Sequence, residues 1–190
     1  MAWSAESTDE ELMLHFRDGD AGAFDALYAR HKGGLYRYLL RQCRNAAAAE
    51  ELFQDVWMNL IRARAGYTVQ ARFTTYLYRL AHNRLIDQYR KNGHAAVVSL
   101  EGEDGEAVAD PPDERERPQE EVLDGKRQAE RLMALIAELP GTQREAFLLQ
   151  QEGGMTVEEI AQATGVSRET AKSRLRYAMS KLRKGMHGWR

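Results

Sequence analysis

Between residues 93 and 125 the chain carries 11 acidic side chains against two basic ones, and three of its four prolines, Pro111, Pro112 and Pro118. Such a stretch cannot bury enough apolar surface to offset the entropy of ordering it, so it predicts an acidic, mostly disordered linker. A chain of 190 residues is thereby cut into two small units, residues 1–92 and 126–190. The overall charge of −2 hides the division. Residues 1–92 hold 13 basic and 11 acidic groups and residues 126–190 hold 12 and 7, giving nets of +2 and +5 around a linker of −9. Residues 165–190 concentrate eight Lys or Arg against the single Glu169. That is a local footprint for a polyanion.

Other classes recede on simple grounds. Cys43 is the lone cysteine, so neither an intrachain disulfide nor a multi-cysteine zinc cluster can form, which fits a reducing compartment. Its spacing from Leu39 and Leu40 reads as a small core residue rather than a redox sensor. No apolar run approaches the roughly 18 residues of a membrane span, and the start MAWSAESTDEE lacks the basic-then-apolar layout of a secretory signal. A cytoplasmic protein without membrane insertion is expected. The five histidines, His15, His31, His82, His94 and His187, are scattered, and no phosphate loop or nucleophile motif occurs. Neither catalysis, a metal nor a cofactor is expected, and His82 reads as a surface or interface residue.

Apolar residues recur at three and four throughout the flanking units, which predicts an all-α fold. Thr8 and Glu11 form a capping box ahead of Leu12 and Phe16. Asp18-Gly19-Asp20 breaks the chain before Phe24, Leu27 and Tyr28, and Gly33-Gly34 reads as a second punctuation. From Leu35, Leu39 and Leu40 the stripe leads to Leu52, Phe53, Val56, Trp57, Leu60 and Ile61, predicting a long helix with a wide apolar face. A further helix is expected from about Phe73 to Lys91, after a non-periodic loop. In the C-terminal unit the stripe Leu132, Leu135, Ile136 and Leu139 stops at Pro140-Gly141. Thr142 with Glu145 and Thr156 with Glu159 read as capping boxes for the next two helices.

The segment TVEEIAQATGVSRETAKSRLRYAMSKL predicts a helix-turn-helix. Ala161 is small where the helices must cross, Gly165 supplies the positive φ of the turn, and Ile160, Val166, Ala171 and Leu175 form a shared core. The second helix, capped by Ser167, presents Arg168, Glu169, Lys172, Ser173, Arg176 and Tyr177, a mainly basic face suited to a major groove. An interaction-only helical hairpin would share the skeleton but leave the basic bias unexplained.

At these residues the chain resembles the extracytoplasmic-function sigma factors of bacterial RNA polymerase, within the sigma-70 family. LIAELPGTQREAFLLQQEGGMTVEEIAQATGVSRETAKSRLRYAMSKLRK looks like their promoter-binding fourth region, and AEELFQDVWMNLIRA with RFTTYLYRLAHNRLIDQYRK looks like their second region. The resemblance implies two small helical domains: residues 1–92 for core polymerase and the minus-ten element, and residues 126–190 for the minus-thirty-five element. It also implies the partners, namely the largest and second-largest subunits of core polymerase, promoter DNA and an anti-sigma factor. Tyr76 stands where the family usually has Trp, and Glu169 and Ala171 stand where Gly and Val or Ile are common.

Glu50, Glu51, Gln54, Asp55 and Trp57 match the family's docking face for a polymerase coiled coil. By themselves they read equally as the solvated side of an amphipathic helix. Tyr76, Arg79, Asn83, Asp87 and Arg90 fall at helical spacing on one face, and aromatic and amide groups among arginines suit an unpaired base and the phosphates of an opened strand. A plain surface helix with Tyr at its edge fits each of them as well. The loop from Gly66 through Tyr67, Thr68 and Gln70 to Arg72 resembles the family's specificity loop, which receives an extruded base.

A helix-turn-helix activator or repressor would account for residues 126–190 alone, and a helical adaptor for neither basic face. The sigma reading accounts for both signatures and the linker. An added C-terminal sensory domain is not expected after the short basic tail.

Overall fold

The computed structural model describes residue 3, residues 6–93 and residues 123–187. The acidic stretch 94–122, with most of the expected linker, lies outside the described residues. Every regular element among the described residues is helical.

Helix α1 (Asp9–Arg17) opens on the expected Thr8–Glu11 capping box. After Gly19, at φ 109°, the Asp20 carboxylate accepts from the Gly22 and Ala23 amides and starts α2 (Ala21–Cys43). This helix runs straight through Gly33-Gly34, where the sequence suggested a break. Two glycines cost a helix interior roughly 1 kcal/mol each relative to alanine, but Leu27, Leu35, Tyr38 and Leu39 are fully buried on either side of them and hold the segment helical. Arg44 in the left-handed region (φ 56°) ends α2, and the Asn45 side chain accepts from Ala48 N to begin α3 (Ala46–Ala63). The single long helix expected from Leu35 to Ile61 is therefore two helices. Cap chemistry at Arg44-Asn45 overrides an apolar stripe that is already interrupted between Leu40 and Leu52.

A 3-10 turn (Arg64–Gly66) and a loop lead to α4 (Phe73–Lys91), the range the spacing predicts. No side chain at Arg72 caps α4. Glu10 of α1 does so instead, accepting from Phe73 N at 2.6 Å, where a carboxylate also meets the positive end of the helix dipole.

The C-terminal unit comprises α5 (Leu123–Glu138), α6 (Gly141–Gly153), α7 (Val157–Thr164) and α8 (Arg168–His187). Thr142 and Glu145 do not form the expected capping box; Pro140 occupies the N-cap with no side-chain bond, and Glu145 turns inward. Arg144 is buried and donates to Ala137 O (3.3 Å) and Leu139 O (3.1 Å), satisfying carbonyls left open where α5 ends. Thr156 and Glu159 do form a complete box.

The two units pack together: α6 lies on α2 and α4, and α7 lies on α4. Cys43 is partly buried and its thiol donates to Leu39 O, burial pushing its pKa up to about 11, which suits packing rather than redox chemistry. Among the described residues no helix is long and apolar enough to cross a membrane.

Candidate nucleic-acid interface

The helix-turn-helix forms as its spacing requires. Gly165 sits at φ 71°, ψ 29° and its amide donates to Ala161 O, while Val166 N donates to the same carbonyl at 3.1 Å. Ala161 is buried at the crossing beside Ile160, Ala171 and Leu175. Ser167 Oγ accepts from Thr170 N at 3.1 Å and caps α8. Arg168 is engaged locally, with Glu158 at 2.5 Å and Glu169 at 3.3 Å. Lys172 and Arg176 project into solvent, Ser173 and Tyr177 are half-buried, and the Arg176 guanidinium lies 5.2 Å from the Tyr177 ring centre. The expected recognition face is thus contiguous, with Lys172 and Arg176 its outward cations.

In the N-terminal unit the loop before α4 folds over a cavity of about 640 Å³. Gly66, Tyr67, Thr68, Gln70, Tyr76 and Arg79 line it, all named from sequence, together with Ala63, Ala71, Thr75 and Gln162. Tyr67 is only 5% exposed, so it acts as a wall rather than a free loop contact. Its ring meets Tyr76 edge-on at 5.2 Å, and burial pushes its phenol up to about 12. The Tyr67 hydroxyl and the Thr75 Oγ1 are both buried with no hydrogen-bond partner in the protein.

Arg79, Asn83, Asp87 and Arg90 continue from this cavity along one exposed side of α4. Arg72 is exposed at the head of the helix and pairs with Glu159 of α7 at 3.4 Å.

On α3, Glu50, Glu51 and Gln54 are exposed and Asp55 is half-exposed. Trp57 is not on that face. It is 4% exposed, its ring set edge-on to Phe24 (5.7 Å), Tyr28 (5.1 Å) and Phe53 (6.2 Å). Its neighbour Val56 is fully buried, and Trp57 shares that apolar stripe rather than the acidic one. Asp55 is held by Arg84 at 2.6 Å, which also approaches Asp87 at 3.7 Å. Asp55, Arg84 and Asp87 thus line a narrow cleft between α3 and α4.

Sequence reading missed Thr75, Gln162, Arg84 and Glu10. Arg84 stands three residues before Asp87, a spacing that hints at an ion pair. Nothing in the local pattern marks Gln162, because its place at the cavity depends on how the units pack.

Residues 27–95 match the family described as sigma-70 region 2, and residues 129–182 match sigma-70, region 4. The RNA polymerase sigma factor CarQ of Myxococcus xanthus is 34% identical over 172 residues, which is 90% of this chain and 93% of that relative. The ECF RNA polymerase sigma factor RpoE of Cereibacter sphaeroides is 32% identical over 178 residues, 92% of this chain and 93% of its own. The same fold occurs in the structure of CnrH in complex with the cytosolic domain of CnrY, at 20% identity and a TM-score of 0.67, covering 97% of this chain and 100% of that one. It occurs again in the sigma factor RpoE in complex with the anti-sigma factor NepR from Bartonella quintana, at 24% identity and a TM-score of 0.64, covering 88% and 98%.

With both regions matched in order, the chain belongs to the extracytoplasmic-function sigma factors of the sigma-70 family. It directs RNA polymerase to promoters and is a non-catalytic initiation factor.

Proposed function

We propose that residues 1–92 form the domain that docks on core polymerase and opens the minus-ten element, that residues 126–190 read the minus-thirty-five element, and that residues 93–125 join them. The observation that carries this assignment is the cavity under the Gly66–Arg72 loop, with its paired Tyr67 and Tyr76 rings and the exposed stripe from Arg79 to Arg90. Opening a duplex without a nucleotide cofactor requires contacts made only to separated bases. An extruded base in the cavity and phosphates along the stripe meet that requirement, stacking contributing roughly 1 to 3 kcal/mol per base.

Tyr76 is the platform, Asn83 supplies an amide donor and acceptor, and Arg72, Arg79 and Arg90 hold phosphates, with Asp87 among them. Thr75 and Tyr67 wall the cavity that would receive the base. The face of α8 from Ser167 to Tyr177 enters the major groove, Lys172 and Arg176 making its strongest contacts. Glu50, Glu51, Gln54 and Asp55 dock on the largest polymerase subunit, and Trp57 supports that face from beneath. The second-largest subunit is the expected further contact. The complexes of CnrH with CnrY and of Bartonella quintana RpoE with the anti-sigma factor NepR support an anti-sigma partner for this chain too.

The test is open-complex formation with core polymerase on a promoter where opening is limiting. Tyr76→Ala should leave closed complexes nearly intact and reduce permanganate-reactive bases. Equal reactivity in both proteins would move melting to other residues.

A further inference from the structure

Helix α1 grips the chain at both ends of the loop that folds over the cavity. At the entry, Arg17 Nη1 donates to Tyr67 O at 3.3 Å. At the exit, Glu10 Oε1 accepts from Phe73 N at 2.6 Å. Between these points Thr68, Val69, Gln70 and Ala71 make no hydrogen bond within the chain among the described residues, so the path of the loop is set where its ends are held. Glu10 and Arg17 stand two turns apart along one side of α1, about 10 Å along its axis. Each bond has a full charge on one partner, which strengthens it over a neutral pair.

The helix that carries both grips is itself fixed. Leu12, Met13 and Phe16 are buried, and Asp9 pairs with Arg30 at 2.9 Å and meets His31 at 2.7 Å on α2. The His31 ring lies 5.2 Å from that of Phe73, and the Arg64 guanidinium lies 5.1 Å from the Phe16 ring centre. Residues just before and just after the loop therefore rest on one support. Asp18 holds the Arg17 guanidinium from the solvent side at 2.8 Å.

We infer that α1 is a two-point clamp on this loop, and that Arg17 and Glu10 are positioning residues that set how sharply the cavity discriminates between bases. Neither lines the cavity, so each acts through the backbone it holds. With both ends held, Thr68 and Gln70 present one arrangement of donors and acceptors to a base. With an end released, the loop samples several arrangements and must be ordered again on binding, which costs affinity for the favoured base first. The inference rests on the base-receiving role proposed for the cavity.

The experiment uses the full chain with core polymerase on four promoters that differ only in the base at the loop-contacted position of the minus-ten element. Open-complex yield is read as permanganate reactivity at a fixed thymine elsewhere in the bubble. Wild type should favour one base by about tenfold or more. Glu10→Ala combined with Arg17→Ala should bring that ratio down to about threefold, with little change on the poorest base. Glu10→Gln keeps an acceptor for the Phe73 amide and should retain most of the preference, and Arg17→Lys should recover part of it.

Urea midpoints of the same proteins separate positioning from folding. The Arg17 side chain is 33% exposed, so Arg17→Ala alone decides the matter where Glu10→Ala lowers the midpoint. Thr68→Ala with Gln70→Ala, inside the loop, tests the reading beneath: an unchanged preference there refutes the base-receiving role of the loop itself. A changed preference there, together with an unchanged ratio in the α1 variants, overturns the clamp alone. Equal loss of yield on all four bases in the α1 variants marks a merely structural role and also overturns it.

Discussion

Around Trp57 the N-terminal unit closes on rings alone, with Phe24, Tyr28 and Phe53 set edge-on to the indole, whereas around Glu145 the seam between units closes on a carboxylate, a phenol and an imidazole. Both places are buried, yet their energetics differ. Exposing the rings loses apolar burial at about 25 cal/mol per Å² and returns a water contact only to the orphaned Trp57 Nε1. Exposing Glu145, Tyr38 and His82 exchanges protein hydrogen bonds for water at small net cost, since buried ion pairs contribute little beyond offsetting their own desolvation. The difference separates an interior held by apolar burial from one held by paired polar groups.

The largest test of that contrast is in the ring-lined interior. Phe73 is fully buried against His31 and Tyr76, and Phe73→Ala should destabilise the N-terminal unit by about 3 to 5 kcal/mol, read as a fall in the urea midpoint. Glu145→Ala should act differently. It strips the acceptor from two buried donors, a loss of about 1 to 3 kcal/mol if the units stay closed. The urea midpoint should therefore fall by less than in Phe73→Ala. A midpoint drop matching that of Phe73→Ala would make the seam part of the core and break the comparison.

The smallest effect is the pH response of the seam. Burial alone would push the His82 imidazole down, but the hydrogen bond and charge of Glu145 outweigh it and hold the pKa above its ordinary 6.5, with Arg174 of α8 opposing. The groups facing His82 are thus Glu145, which itself accepts from Tyr38, and Arg174. A raised pKa in the folded chain stabilises it fully below the ordinary imidazole value, and that contribution is lost as pH rises through the raised one. This contribution to stability should therefore fall between mildly acidic and mildly alkaline buffer, read in the urea midpoint. His82→Gln should flatten the response, and a larger midpoint difference between wild type and His82→Gln at alkaline pH would reverse the assigned sign.

Local chemistry made much of this legible beforehand. The capping boxes at Thr8 and Thr156, the turn glycine at 165 and the span of α4 follow from interactions within a few residues, so a linear reading finds them. The same holds for the mainly basic face from Arg168 to Tyr177, because one helix places all of it. Readings failed where a residue had two local roles open to it. Trp57 borders both an acidic and an apolar stripe of α3, and only the packing of α2 draws its ring inward. Glu145 could have completed a box with Thr142, but Tyr38 and His82, 107 and 63 residues away, claim it.

By itself, then, the order of residues determined an all-α chain with its helix caps, two signatures in sequence and a basic face on the last helix, because each depends on spacing along one helix or turn. Tertiary structure decided what no spacing carries: that Gly33-Gly34 continues a helix, that Glu10 caps α4, and that Thr75 and Gln162 complete the cavity under the loop. It also decided that a polar seam joins the two units. Those outcomes depend on which distant surface each side chain meets, and a buried polar group takes whichever partner satisfies it in the folded chain.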